Sequence, residues 1–115
     1  MLRIATLLIL VLSFGAIARA DIPPPYVPYG IGASLVEAEP FPTLTVAAGS
    51  PAAQAGLKTG DGVIAIDSSY AKGGAPFYFF ARGLQGPQNA PVQLVILRGG
   101  NQVLVFKVVR TVRLR

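Results

Sequence analysis

The sequence contains no cysteine, no histidine and no tryptophan, and only five of its 115 residues are acidic. The absence of cysteine excludes disulfide bonds, a lipoprotein anchor and thiolate zinc sites. The absence of histidine excludes a Ser-His-Asp triad. The five carboxylates are scattered, a pattern that neither metal coordination nor acid–base pairing requires. This inventory predicts a protein that is not an enzyme and that holds no metal or cofactor.

The N-terminal residues have the pattern of an export signal. An apolar run from Ile4 to Gly15 follows one basic residue, and small residues then occupy the positions that a signal peptidase inspects. We predict a signal peptide over residues 1–20, cleaved between Ala20 and Asp21, and a periplasmic or secreted protein. The alternative is a retained inner-membrane anchor, although such anchors need about 18 to 20 apolar residues.

Cleavage at that point would leave residues 21–115, with eight basic and five acidic side chains and a net charge of +3. Residues 21–29 are rich in proline and predict an extended spacer; the alternative is a ligand for aromatic grooves. We predict that residues 113–115 form a basic tail. Two further basic residues, Lys107 and Arg110, precede it. We expect this end to be solvated; the alternatives are attraction to anionic lipid or to an acidic protein. Export argues against nucleic acid as a partner.

The stretch Gly49–Asp67 has the strongest local pattern in the sequence. Ser50 can cap a helix, Pro51 suits its first position, and Gly56 can adopt the left-handed conformation that ends it. A turn at residues 59–62 then leads into a short apolar strand. These residues therefore predict a short capped helix before a buried strand.

The motif Gly-Ser-Pro-Ala-Ala-x-Ala-Gly-Leu-Lys-x-Gly-Asp, with the apolar strand after it, resembles the central signature of bacterial PDZ domains. Those modules are attached to heat-shock serine proteases and carboxy-terminal processing proteases. The resemblance implies an α+β fold over residues 30–112, a small antiparallel β-barrel or sandwich of five to six strands with two helices. Residues 21–115 suffice for this module but not for a protease domain as well. A Ser–Lys dyad is therefore not expected among Ser34, Ser50, Ser68, Ser69, Lys58, Lys72 and Lys107.

The second half of the sequence predicts a helix and a hairpin. Pro76 suits a helix start and Gly86-Pro87 a stop, which bounds the second helix. Val92–Leu97 and Gln102–Val109 are rich in β-forming residues and are separated by a glycine-containing turn. Residues 68–74 predict a flexible loop.

Gly30-Ile31-Gly32-Ala33 is, by itself, a weak signal for a turn or bulge. The resemblance implies that the amides of Ile31, Gly32 and Ala33 bind the terminal carboxylate of a peptide, and that the following strand, with Ser34 and Leu35, accepts the peptide by β-addition. Ala33 is smaller than the residue that many family members have, so one wall of the terminal pocket should be shallow. We expect the loop to lie outside the core, so that a β-branched residue in place of Gly32 abolishes carboxylate capture without unfolding the protein.

Residues Phe77, Phe80, Ala81 and Leu84 share one face of the second helix. We predict that Phe80 lies in the core. The resemblance implies that Phe77, Ala81 and Leu84 lie along the peptide groove. Phe77, in place of a polar residue, implies an apolar ligand side chain two residues before the terminus. Tyr78 and Phe79 lie off this face; we expect partial burial under the 68–74 loop, the alternative being a second contact surface.

The residues and the resemblance together predict an exported, stand-alone adaptor or localiser that binds peptide C-termini or protein segments with apolar ends. Two alternatives remain open. One is a regulatory partner or remnant of a periplasmic protease, and the other is a membrane-anchored scaffold in a secretion system.

Overall fold

The computed structural model describes residues 27–114, so the predicted signal peptide at 1–20, the cleavage site and most of the spacer lie outside it. These residues contain eight strands, two α-helices and one 3₁₀ turn. No helix among them is long and apolar enough to cross a membrane. In chain order the elements are β1 (Tyr29–Gly30), β2 (Ala33–Val36), β3 (Thr43–Val46), α1 (Pro51–Ala55), β4 (Gly62–Ile66), β5 (Ser69–Tyr70), α2 (Phe77–Ala81), the 3₁₀ turn (Arg82–Leu84), β6 (Pro91–Arg98), β7 (Gln102–Val109) and β8 (Val112–Arg113).

The main sheet is antiparallel, with the strand order β2-β3-β4-β6-β7 and with β5 paired to β4. Within residues 27–114, β2, β5 and β7 each pair with one neighbouring strand of this sheet. A separate ribbon pairs β1 with β8. The predicted α+β fold with two helices is confirmed, and the ribbon adds two strands to the predicted five or six.

Helix α1 has the predicted caps. The Ser50 Oγ accepts a hydrogen bond from the Ala53 N–H at 3.2 Å, and Pro51 is the first helical residue. Gly56 has φ 105°, a conformation that glycine adopts without steric cost, and its N–H returns to the carbonyls of Ala52 and Ala53. The local sequence is therefore sufficient to explain where α1 begins and ends.

The hydrophobic core lies between the inner face of the sheet and the helices. Val92, Leu94 and Ile96 alternate along β6 and are buried, as expected for a strand with one face on the core. Phe80 of α2 joins this core, as predicted. The buried residues that pack together in this core are Ile31, Leu44, Ala52, Leu57, Val63, Ile66, Phe80, Leu84, Val92, Leu94, Ile96 and Val108.

Three predicted boundaries are wrong. The second helix is shorter than residues 76–86, because α2 tightens into a 3₁₀ turn that ends at Leu84. The loop at 68–74 contains β5, which pairs with the end of β4. Tyr29 and Arg113 were assigned to the spacer and the tail, but they pair with each other in the β1–β8 ribbon.

Arg110 is buried, although the sequence analysis placed it with the solvated basic residues. Its guanidinium group donates hydrogen bonds to the carbonyls of Gly83 at 2.9 Å and Leu84 at 3.1 Å. It also donates to the carbonyls of Ala90 at 3.3 Å and Pro91 at 3.0 Å. Arg110 therefore joins the end of the 3₁₀ turn to the beginning of β6, because one planar guanidinium group donates to carbonyls of both segments.

A second buried charge connects the turn after α1 to the hairpin. Asp61 accepts two hydrogen bonds from Arg98, at 2.8 and 2.9 Å, and one from the Lys58 N–H at 2.9 Å. Burial by itself raises the pKa of the Asp61 carboxyl group, but these hydrogen bonds and the positive charge of Arg98 outweigh burial and hold the pKa below its ordinary value. The carboxylate is therefore ionised throughout the neutral range.

Candidate functional site

A groove of about 570 Å³ lies between β2 and α2. One wall comes from the loop and strand at residues 30–35, and the opposite wall comes from α2 and the 3₁₀ turn. The fold thus brings together two segments that are far apart in the sequence. All nine residues singled out in the sequence analysis line this groove, namely Gly30, Ile31, Gly32, Ala33, Ser34, Leu35, Phe77, Ala81 and Leu84.

Strand β2 presents a backbone edge to the groove. Its partner β3 pairs Ser34 with Thr45, and the Ala47 N–H donates to the Gly32 carbonyl at 2.9 Å. In an antiparallel pair the residues alternate between pointing their backbone groups toward the partner strand and away from it. The N–H and C=O groups of Ala33 and Leu35 therefore point away from β3. These are the groups to which an added strand can hydrogen bond.

The loop before β2 is held by its carbonyl groups. The Ile31 carbonyl accepts from the Ala52 N–H at 2.9 Å, and the Gly32 carbonyl accepts from Ala47. In a trans peptide unit the C=O and N–H point in opposite directions. The Gly32 N–H therefore points away from α1, and the Ala33 N–H points away from β3. The amides of Gly32 and Ala33 therefore point away from the two elements that hold the loop, and adjacent amides of this kind can bind an anion.

The expectation that this loop lies outside the core is wrong. The Ile31 side chain is completely buried. Gly32 has φ 80°, and a Cβ atom there would clash with the Cβ of Ser50, the residue that caps α1. A β-branched residue in place of Gly32 would therefore disturb the helix cap as well as the loop, so it is not a clean test of ligand binding.

The helical wall of the groove has two rows of side chains. The inner row consists of Phe77, Ala81 and Leu84, which is the apolar row that the sequence analysis identified. The outer row has the same spacing and consists of Tyr78, Arg82 and Gln85, which the sequence analysis did not assign to the groove. Their side chains are exposed.

Tyr78 and Phe79 are not buried under the 68–74 loop, in contrast to our expectation. They are 65% and 64% exposed, and their rings contact edge to face with centroids 5.9 Å apart. The Arg82 guanidinium lies 5.8 Å from the centroid of the Tyr78 ring. Among the described residues that line the groove, Arg82 is the one charged side chain, so the charge that the lining side chains carry is positive.

Three further residues that line the groove were not predicted from the sequence. Thr45 and Ala47 reach the groove because β3 lies beside β2, and a register argument would have found them. Leu114 reaches it from the other end of the chain, and no local pattern points to this residue. Within residues 27–114 no cluster of three carboxylates is close enough together to hold a metal ion.

Comparison with known proteins gives matches among solved structures, whereas no protein-family model and no curated protein sequence matches the chain. One similar structure is the PDZ domain of a carboxy-terminal protease from Vibrio cholerae in complex with a peptide. It has a TM-score of 0.64 and 26% sequence identity, over 78% of this chain and 99% of that domain.

Another similar structure is the photosystem II D1 C-terminal processing protease, with a TM-score of 0.63 and 22% identity over 84% of this chain. The chain spans 26% of the length of that protease, so this likeness concerns the fold of one domain. The nearly complete coverage of the Vibrio cholerae domain agrees with the motif at residues 49–67 and with the groove between β2 and α2. The described residues therefore form a PDZ domain similar to that of bacterial carboxy-terminal processing proteases.

Proposed function

We propose that the protein is a peptide-binding module rather than an enzyme, and that it binds the C-termini of peptides or proteins by adding them as a strand to β2. The observation that carries this proposal is the outward edge of β2, which faces an apolar helical wall across one groove. The peptide in the similar Vibrio cholerae domain supports it.

In this proposal each part of the groove has its own role. The Gly32 and Ala33 amides bind the terminal carboxylate, and the backbone of Leu35 continues the added strand. Ala81 and Leu84 contact the terminal side chain, whereas Phe77 contacts a side chain further from the terminus. Because these three are apolar, the preferred ligands have apolar residues at both positions. Affinity in the micromolar range, about −8 kcal/mol, suits an adaptor that releases its ligand.

The test compares free-acid peptides with their amidated twins, since amidation removes the charge that the loop binds. The protein variant Ala81→Glu places a carboxylate inside the groove and should weaken binding of free-acid peptides at least tenfold. Ala55→Glu is the matched control, because Ala55 is an exposed alanine at the end of α1 and does not line the groove. Equal affinity for acids and amides would contradict carboxylate capture.

Export is also part of this proposal, and it rests on the sequence pattern of residues 1–20. The protein would then act in the periplasm or outside the cell. The mass of the protein isolated from its own cells tests this: loss of residues 1–20 supports export with cleavage, whereas an intact N-terminus in a membrane fraction supports the retained anchor.

A further inference from the structure

Leu114 lies at the end of the groove where the carboxylate loop begins. The β1–β8 ribbon holds it there, since Gly30 pairs with Val112 and the Leu114 N–H donates to the Pro28 carbonyl at 3.1 Å. The Leu114 Cδ atoms lie 3.3 and 3.4 Å from the position that a Cβ atom on Gly30 would occupy. Leu114 thus packs over the bare backbone of Gly30.

The side chain of Leu114 is accessible to a ligand. It is 41% exposed and lines the groove together with Ala33. Ala33 is small, so the strand side of the groove offers little side-chain volume next to the loop. Leu114, which follows β8 and belongs to the predicted basic tail at 113–115, reaches the same end of the groove.

We propose that Leu114 is a specificity-determining residue, which forms the wall of the terminal pocket that Ala33 leaves open and so limits the size of the ligand's last side chain. This inference rests on the proposed peptide-binding function. It assigns to the groove ligands that end in a short apolar residue such as alanine or valine, in preference to phenylalanine.

The experiment measures fluorescence anisotropy with labelled heptapeptides that have a free carboxyl group, a common sequence and a last residue of alanine, valine, leucine or phenylalanine. Leu114→Ala should enlarge the terminal pocket. The affinity for the peptide that ends in valine should then fall about five- to twentyfold, while the affinity for the peptide that ends in phenylalanine should rise or stay constant. The control is Val103→Ala, which truncates an exposed apolar residue of β7 outside the groove and should leave the ratio unchanged.

A double variant tests whether side-chain volume at this end of the groove sets the preference for short side chains. Adding Ala33→Leu to the Leu114→Ala protein should restore the preference for short side chains, because the missing volume then comes from the strand side. If Leu114→Ala does not fold, Leu114→Phe provides the test, because a longer wall should exclude the leucine and phenylalanine peptides and still admit alanine.

The outcomes separate the two proposals. An unchanged ratio of valine to phenylalanine affinity in a folded Leu114 variant, with free acids still preferred over amides, would overturn the role of Leu114 and leave peptide binding intact. Failure of the unmodified protein to bind any free-acid peptide would overturn the proposed function, and the inference with it.

Discussion

At the residue scale, Gly32 is required for two separate reasons. Its φ of 80° lies in the region that disfavours other residues, and its Cα faces the Ser50 side chain without room for a Cβ atom. In the proposed binding mode the amide of Gly32 also binds the ligand carboxylate. If that mode holds, a substitution at this one position affects both stability and peptide binding.

Gly32→Ala should destabilise the protein more than Gly49→Ala. Gly49 has a similar φ of 73°, but nothing lies within 4 Å of the Cβ position, so its substitution costs only the backbone term of roughly 1–2 kcal/mol. The clash with Ser50 should raise the cost at Gly32 to about 3 kcal/mol or more. Urea unfolding measures both values, and equal losses would show that Ser50 moves aside freely.

The ion pair of Asp61 predicts how stability depends on pH. Because the folded pKa of Asp61 is below the unfolded value of about 3.9, its contribution is fully present above that value and is lost as the pH falls through the folded pKa. Asp61→Asn should cost roughly 2–4 kcal/mol at pH 7 and should flatten the acid limb of the stability curve.

Urea unfolding between pH 7 and pH 2 provides this measurement. Glu37→Gln is the control, since Glu37 is exposed and follows the end of β2. The same acid limb in Asp61→Asn and in the unmodified protein would mean that another group governs acid unfolding.

At the element scale, hydrogen bonds from residues outside the groove hold the 3₁₀ turn of its helical wall in place. The guanidinium of Arg110 binds the carbonyls of Gly83 and Leu84, and Tyr29 exchanges two backbone hydrogen bonds with Gly86, at 2.8 and 3.0 Å. These contacts fix the 3₁₀ turn against both β6 and the β1–β8 ribbon. The position of Leu84 in the groove therefore depends on residues that no ligand touches.

Arg110→Lys should destabilise the protein by roughly 2–4 kcal/mol, because an ammonium group at this buried position cannot donate to all four carbonyls at once. It should also weaken binding of free-acid peptides by loosening the wall. Arg113→Lys is the matched control, since Arg113 is exposed. Unfolding and peptide titration measure both effects, and a fully stable Arg110→Lys protein would show that the network is dispensable.

At the scale of the whole molecule, residues 27–114 share one core, and the groove uses elements from both ends of the chain. A ligand that binds only this folded form must stabilise the entire domain. At a concentration one hundred times its Kd, a free-acid peptide should add about 2.7 kcal/mol to the free energy of unfolding.

Thermal unfolding with and without peptide measures this linkage. The amidated twin should have little effect, and Ala81→Glu should lose the stabilisation while Ala55→Glu retains it. Stabilisation by the amide as strong as by the acid would indicate a binding mode that does not use the Gly32 and Ala33 amides.

Features that depend on neighbours along the chain are predictable from the amino-acid sequence. The Ser50 cap, the Gly56 stop and the turn between β6 and β7 follow from backbone conformation and from contacts three or four residues apart. The inner row of α2 follows from helical periodicity in the same way. The groove residues followed from the PDZ resemblance, because that motif specifies where distant segments meet.

Contacts between groups that are distant in the sequence depend on the three-dimensional fold. Arg110 is buried because carbonyls at Gly83 and Pro91 surround it, and its own sequence neighbours do not indicate this. Leu114 lines the groove because β8 pairs with β1 at the other end of the chain. Such contacts depend on strand order and register. Local conformational propensity determines neither strand order nor register. The sequence alone therefore does not distinguish Arg110 and Leu114 from residues of a solvated tail.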